Sequence, residues 1–129
     1  DKHMKRAGLD YWDKVKINKH DSLEDFLATL QSNDEMYLIS KFSSKSYTDV
    51  EYTDPTKNYY FVFGKETTGL PKTFMREYYE RNLRIPMSDH IRAFNLANSV
   101  AIVLFEALRQ QGFPHLEKSH HYPKDKLKD

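Results

Sequence analysis

The sequence predicts an α/β domain: a mainly parallel sheet flanked by helices. Two observations lead there. Strand-like and helix-like runs alternate in the order strand–helix–strand–loop–strand–helix–strand–helix, the pattern that crossover helices impose on a parallel sheet. The strongest strand signal, "YYFVF" at residues 59–63, is built entirely of aromatic and β-branched residues and has turn-forming residues on both sides. A chain of 129 residues fits a single domain with one modest core.

The elements follow in order. "HMKRAGLDYW" reads as a helix end stopped by Gly8. "KVKIN" alternates polar and apolar residues like a short strand. "DSLEDFLATL" opens a helix, with Ser22 as N-cap, Asp25 at the capping-box position, and Leu23, Phe26, Leu27 and Leu30 on one face. "EMYLIS" is a buried strand. "KFSSKSYTDVEYTDPTKN" is polar and turn-rich, and is expected to be a surface loop with a short strand near Tyr47. "LPKTFMREYYE" is a helix with Pro71 in its first turn. "LRIPM" is a short strand bent or ended by Pro86. "FNLANSVAIVLFEALRQQG" is the longest helical pattern, closed by Gly112 and Pro114. Leu96, Val100, Val103, Leu104 and Ala107 form one apolar face of that helix, but Ala97, Ala101, Ile102, Phe105 and Leu108 make its other faces apolar too. Such a helix is expected to be covered on two sides, the second by another subunit.

Composition narrows the chemistry. With 39% hydrophobic and 30% charged residues, the chain is globular in type, and its longest apolar run, "VAIVLF", is far too short to span a bilayer. Cysteine is absent, which removes disulfides, thiolate metal sites and cysteine nucleophiles and suits a cytoplasmic setting. A net charge of +1 means that attraction to a nucleic acid would come from a local patch. The six histidines show no helical His-x-x-x-His pair and no acidic cluster at ligand spacing, so no metal is expected. No elbow motif supports a serine triad.

In an open α/β sheet, ligands bind beyond the C-terminal ends of the strands. Two segments lie there: "FGKETTGLP" after the strongest strand, and "PMSDHIRAFN" after "LRI". The first has the ingredients of a phosphate loop in the wrong order. A Walker loop places its lysine at the helix start, whereas Lys65 follows the first glycine and Gly69 is followed by Leu70 and Pro71. The dinucleotide-binding spacing is missing as well. On composition alone, a turn with two glycines at positive φ is the plainer reading.

Taken together, "FGKETTGLP", "RIPM" and "RAFNLANSVAIVLFEALRQ", with "RAGLDYW" upstream, resemble the trefoil-knotted SPOUT methyltransferases. The closest group is the tRNA 2′-O-methyltransferases that modify the wobble nucleotide (cytidine or uridine) of leucine tRNAs. The resemblance implies a Rossmann-like sheet with a C-terminal trefoil knot over residues 1–114, followed by a polar tail at 115–129. It also implies S-adenosylmethionine as methyl donor, S-adenosylhomocysteine as product, a tRNA substrate and a homodimer. The cofactor-binding residues it implies are Ile39, Ser40, Gly64, Glu66, Gly69, Ile85, Met87, Ala93, Asn95 and Leu96. Glu66 and Asn95 are the catalytic candidates, and Arg92 is the candidate partner of a substrate phosphate or carboxylate.

The chain departs from the family in two ways. Ala93 and Ala97 stand where the family usually carries serine. The family's opening strand and helix, with an Asn-Thr-Gly-Asn segment and an arginine implicated in activating the ribose hydroxyl, have no counterpart in these residues. The sequence is therefore read as a fragment of a longer protein, impaired as a catalyst on its own. A catalytically silent RNA- or cofactor-binding homologue is the competing reading. The tail is expected to be solvated, with RNA contact as its alternative.

Overall fold

The computed structural model describes residues 22–65, 68–88 and 95–119. The "KVKIN" strand and the "RAGLDYW" segment lie outside them. Three strands, β1 (Asp34–Ile39), β2 (Asn58–Phe63) and β3 (Asn82–Leu83), form a parallel sheet in the order β2–β1–β3. Helix α1 (Leu23–Thr29) precedes β1, α2 (Lys72–Glu77) links β2 to β3, and α3 (Leu96–Gln110) follows β3. The expected parallel sheet with flanking helices is present. β3 begins one residue earlier than "LRIPM" suggests and pairs only as far as Arg84. It ends before Pro86, which has no N–H to offer a ladder.

Alternation along the strands divides the core in two. Met36 and Leu38 of β1 point to one face, where they meet Phe74 and Met75 of α2, with Leu23, Phe26 and Leu27 of α1 packed beside them. Tyr37 and Ile39 point to the other face, toward Leu83, Tyr52 and Ala107 of α3. Ser22 caps α1 as expected, its Oγ accepting the Asp25 N–H at 3.1 Å. Asn82 is buried against the end of α2, where its Nδ2 donates to the carbonyls of Met75, Tyr78 and Tyr79.

Helix α3 starts at Asn95, whose Oδ1 accepts the Asn98 N–H at 2.8 Å. It ends in a Schellman arrangement: the Phe113 N–H donates to the Leu108 carbonyl (2.7 Å) and the Gly112 N–H to the Arg109 carbonyl (3.1 Å), with Gly112 at φ +80°. The expected stop at Gly112 is therefore present, and its positive φ is the reason for glycine.

The segment between β1 and β2 runs mostly exposed, as the sequence suggests, but it carries one deeply buried anchor. Tyr52 is fully buried, surrounded by the rings of Tyr37, Tyr59 and Phe61 at 5.2–5.8 Å, and its hydroxyl donates to the Tyr47 carbonyl. Burial pushes the Tyr52 phenol well above its usual pKa. Side chains of α3 hold the segment's backbone: Gln110 Oε1 accepts the Tyr52 N–H (2.8 Å), Gln110 Nε2 donates to the Val50 carbonyl (3.0 Å), and Gln111 Nε2 donates to the Tyr52 carbonyl (2.7 Å). Polar composition gives no sign of this one buried tyrosine. Residues Tyr47–Asp49 form a 3₁₀ turn, and Ser46 just before it makes a single parallel bridge to Arg84, the extent of strand pairing near Tyr47.

That segment also reaches the far edge of β3. The Leu83 carbonyl accepts the Ser40 N–H on the β1 side at 2.8 Å. One residue on, the Arg84 N–H donates to the Lys45 carbonyl (2.7 Å), and the Arg84 carbonyl accepts the Tyr47 N–H (3.0 Å). Successive peptide groups of an extended chain point to opposite edges. β3 thus runs between β1 and the connection that leaves β1.

At the opposite end of the sheet, Glu35 takes hydrogen bonds from Lys57, at the entrance to β2, and from Arg81, at the entrance to β3. The Lys57 bond, aided by Arg81, holds the Glu35 carboxyl below its ordinary value of 4.5. A carboxyl with a lowered folded-state pKa stabilises the fold above its unfolded value and loses that contribution as pH falls through the folded value. Glu35→Gln should therefore flatten the loss of stability below about pH 4.5 in urea titrations; an unchanged acid limb would contradict this. Tyr52→Ala should destabilise by about 3 kcal/mol or more, as for other buried aromatics. Tyr52→Phe should cost only about 1 kcal/mol, the scale of one hydrogen bond. Chemical denaturation reads both.

Candidate functional site

The C-terminal ends of the three strands lie side by side. Ile39 pairs with Phe63 on one flank and with Leu83 on the other. This register brings together four of the residues implied by the resemblance: Ile39, Ser40, Gly64 and Ile85. Ile39 is half-buried and Ile85 buried, so the site has apolar walls. Ser40 is buried and its polar groups are engaged inside the fold. Its N–H donates to Leu83, its Oγ donates to the Met75 Sδ (3.2 Å), and the same Oγ accepts the Phe42 N–H (3.1 Å). Ser40 therefore sets the course of the chain leaving β1, and its hydroxyl is occupied by protein groups.

The two glycines of "FGKETTGLP" do different work. A Cβ built on Gly64 would lie 2.4 Å from the Gly69 carbonyl carbon and 2.4 Å from the Leu70 nitrogen. The close approach that demands glycine at this position is the loop folding back onto itself, held by the Gly69 N–H donating to the Lys65 carbonyl at 2.8 Å. Gly69 has open space around it but sits at φ +69°, where a Cβ is strained. Of the two, only Gly69 needs its positive φ, which amends the expectation of two such positions. The Lys65–Gly69 bridge makes a short reversal directly beyond β2, the neighbour of β1 in the sheet.

Met87 is half-buried just past Ile85, and Asn95 and Leu96 open α3. No hydrogen bond among the described residues joins Met87 or Asn95 to the strand ends. The cap on α3 occupies the Asn95 Oδ1, leaving donor capacity only on the amide nitrogen of that side chain. Glu66, Arg92 and Ala93 lie outside the described residues, as does the end of the polar tail.

Two features escaped the sequence reading. Arg84 does more than continue a strand. Besides its backbone bonds on the far edge of β3, its Nη1 donates to the Lys41 carbonyl at 2.5 Å, fastening the chain that leaves β1. Its side-chain target is a backbone carbonyl 43 residues away, so no local motif could show it. The second feature is a cavity of about 470 Å³ between the 42–45 segment and α2, with Phe42, Lys45, Lys72, Arg76 and Tyr79 among its lining residues. None of the described residues implied for the cofactor lines it. It meets the strand ends through Met75, which also receives the Ser40 hydroxyl.

The strand-end site suits an adenosine-bearing group. It offers apolar walls at Ile39 and Ile85, a glycine reversal at residues 64–69, and backbone groups beyond three strand ends, the mix that small-molecule sites use. No group of three or more candidate metal ligands occurs among the described residues.

Comparison with known proteins places this geometry. The model of the SpoU rRNA methylase family matches residues 1–105. A Lactobacillus gasseri protein, named provisionally as an RNA (cytidine(34)-2′-O)-methyltransferase, is 77% identical over 128 residues, covering 99% of this chain and 69% of its own. A solved structure described as giving insight into the 2-OH methylation of C/U34 on tRNA is 34% identical with a TM-score of 0.68, over 83% of this chain and 67% of its own. An AdoMet-bound rRNA methyltransferase from Sinorhizobium meliloti is 30% identical with a TM-score of 0.58, over 67% of this chain and 33% of its own. A family match over residues 1–105 of 129, on a parallel sheet in the order β2–β1–β3, means that this chain belongs to the SpoU rRNA methylase family.

Proposed function

We propose that the protein transfers a methyl group from S-adenosylmethionine to the ribose 2′-hydroxyl of the wobble nucleotide of a tRNA. The observation that carries this reading is the 77% identity, over nearly the whole chain, to a protein named for 2′-O-methylation at cytidine 34. The strand-end site supports it. Ile39, Ile85, Met87 and Leu96 would enclose the adenine. The backbone around Ser40, the Gly64–Gly69 reversal and Ala93 would hold the rest of the cofactor. When bound, that cofactor supplies the methyl group on a sulfonium.

The residues of the chain then have two tasks: to place the hydroxyl in line with the methyl group and to receive its proton. Glu66 is the candidate proton acceptor, because a carboxylate is ionised at neutral pH. The Asn95 amide would orient the ribose, and Arg92 would engage a phosphate.

The trefoil knot belongs to the same proposal. Its support is the passage of β3 between β1 and the connection that leaves β1. A homodimer belongs to it too. Only Val103 and Ala107 of α3 are buried, whereas Val100, Ile102, Leu104 and Leu108 are covered in part, and a second copy packed on α3 would bury them. The alanines at 93 and 97 favour one alternative, a homologue that binds cofactor and RNA without turnover.

Methyl incorporation from labelled S-adenosylmethionine into tRNA, with the modified nucleotide mapped, decides between these readings; cofactor binding without any incorporation would favour the silent one. Asn95→Asp keeps an acceptor for the α3 cap and removes the amide donor. It should lower kcat about tenfold, as for loss of one aligned polar contact, with little change in Tm. Asn95→Ala should lower Tm as well, by about 1 kcal/mol of lost capping. Equal activity of Asn95→Asp and wild type would remove Asn95 from the chemistry. Gly64→Ala should displace the 65–70 reversal and weaken S-adenosylmethionine binding, which calorimetry reads directly.

A further inference from the structure

The cavity between the 42–45 segment and α2 is separate from the strand-end residues and has a character of its own. The two large apolar side chains left exposed among the described residues are Phe42 (63%) and Tyr79 (72%). Both line this cavity. A single exposed ring needs no explanation, but two aromatic rings lining one cavity form an apolar patch that suggests a planar partner. Three cations, Lys45, Lys72 and Arg76, share the lining with a single acid, Glu80. A fourth cation, Lys41, has its Nζ 5.4 Å from the Phe42 ring centroid. In a chain whose net charge is only +1, this is a local excess of positive charge.

The walls are preformed. Ser43 Oγ donates to the Asn82 carbonyl (2.7 Å), the Phe42 N–H donates to Ser40 Oγ (3.1 Å), and Arg84 holds the Lys41 carbonyl. The opposite wall is fixed where Asn82 Nδ2 ties down three carbonyls at the end of α2. At about 470 Å³ the cavity is in the range of sites that enclose a ligand the size of a nucleotide.

We propose that this cavity is a subsite for one unpaired nucleotide of the RNA substrate, a neighbour of the one that reacts. Its base stacks on Phe42 and Tyr79, and its flanking phosphates meet Lys45, Lys72 and Arg76. Aromatic faces and basic side chains in alternation are how single-stranded RNA is held. The inference rests on the proposed tRNA methylation and adds where the RNA lies. The subsite is joined to the reacting end of the sheet because the 42–45 wall continues directly from Ser40.

The test uses the full chain and an anticodon stem-loop RNA. Fluorescence anisotropy gives the RNA Kd, methylation assays give the KM for RNA, and calorimetry gives S-adenosylmethionine affinity. Phe42→Ala and Tyr79→Ala should each raise the RNA Kd about tenfold, the scale of one lost base stack, while S-adenosylmethionine affinity stays unchanged. Phe42→Trp should restore RNA binding. Lys45→Ala and Lys72→Ala should each lower the slope of log K against log salt by about one. If wild type methylates the RNA but the aromatic variants bind it as wild type does, the subsite is overturned and the methyltransferase reading stands. If the full-length protein transfers no methyl group, that reading fails, and anisotropy alone still decides the subsite. If the aromatic variants change the sedimentation of the protein instead of its RNA affinity, a second copy fills the cavity and the proposal falls.

Discussion

The double-sided hydrogen bonding of β3 is the constraint on which the rest of the structure turns. At two residues, β3 is too short to hold its place by pairing with β1 alone. It is held because the carbonyl of Leu83 meets β1 while the peptide groups of Arg84 meet the connection at Lys45 and Tyr47. The Arg84 side chain then closes on the Lys41 carbonyl, so one residue fixes both the strand and the segment that encloses it. The site inherits its geometry from this arrangement. Ser40 and Ile85 stay adjacent because the chain between them in space is fixed from both sides.

Two further contacts protect that constraint. Tyr52 anchors the middle of the connection in a cage of aromatic rings, and Gln110 and Gln111 of α3 take up its backbone groups. Helix α3 is itself terminated firmly at Gly112 and Phe113, so the glutamines sit at a defined height. At the other end of the sheet, Glu35 ties together the entrances of β2 and β3.

Much of the fold was legible in the residues. The aromatic run at 59–63 became β2, the "EMYLIS" run became β1, and Ser22 caps α1. These elements announce themselves through local periodicity and capping chemistry. The connection was not legible, because the burial of Tyr52 depends on rings from β1 and β2 and on glutamines about 60 positions away. In the site, the glycines were found by type, but their separate reasons, a backbone approach at Gly64 and a positive φ at Gly69, needed coordinates. Arg84 and the aromatic pair Phe42 and Tyr79 gave no pattern in one dimension. Their relationship exists only once α2 and the end of β1 lie together. The family match over residues 1–105 adds what periodicity alone does not carry.

The order of the contacts along the chain has a bearing on synthesis. Among the described residues beyond β1, the groups that receive β3 and Arg84 include Ser40, Lys41, Ser43, Lys45 and Tyr47, all of which lie before it. The glutamines that lock the connection lie after it, in α3. During synthesis from the N-terminus these partners of β3 are therefore made before it and the glutamines that hold the connection after it, so a chain not yet extended to α3 already carries the groups that seat β3.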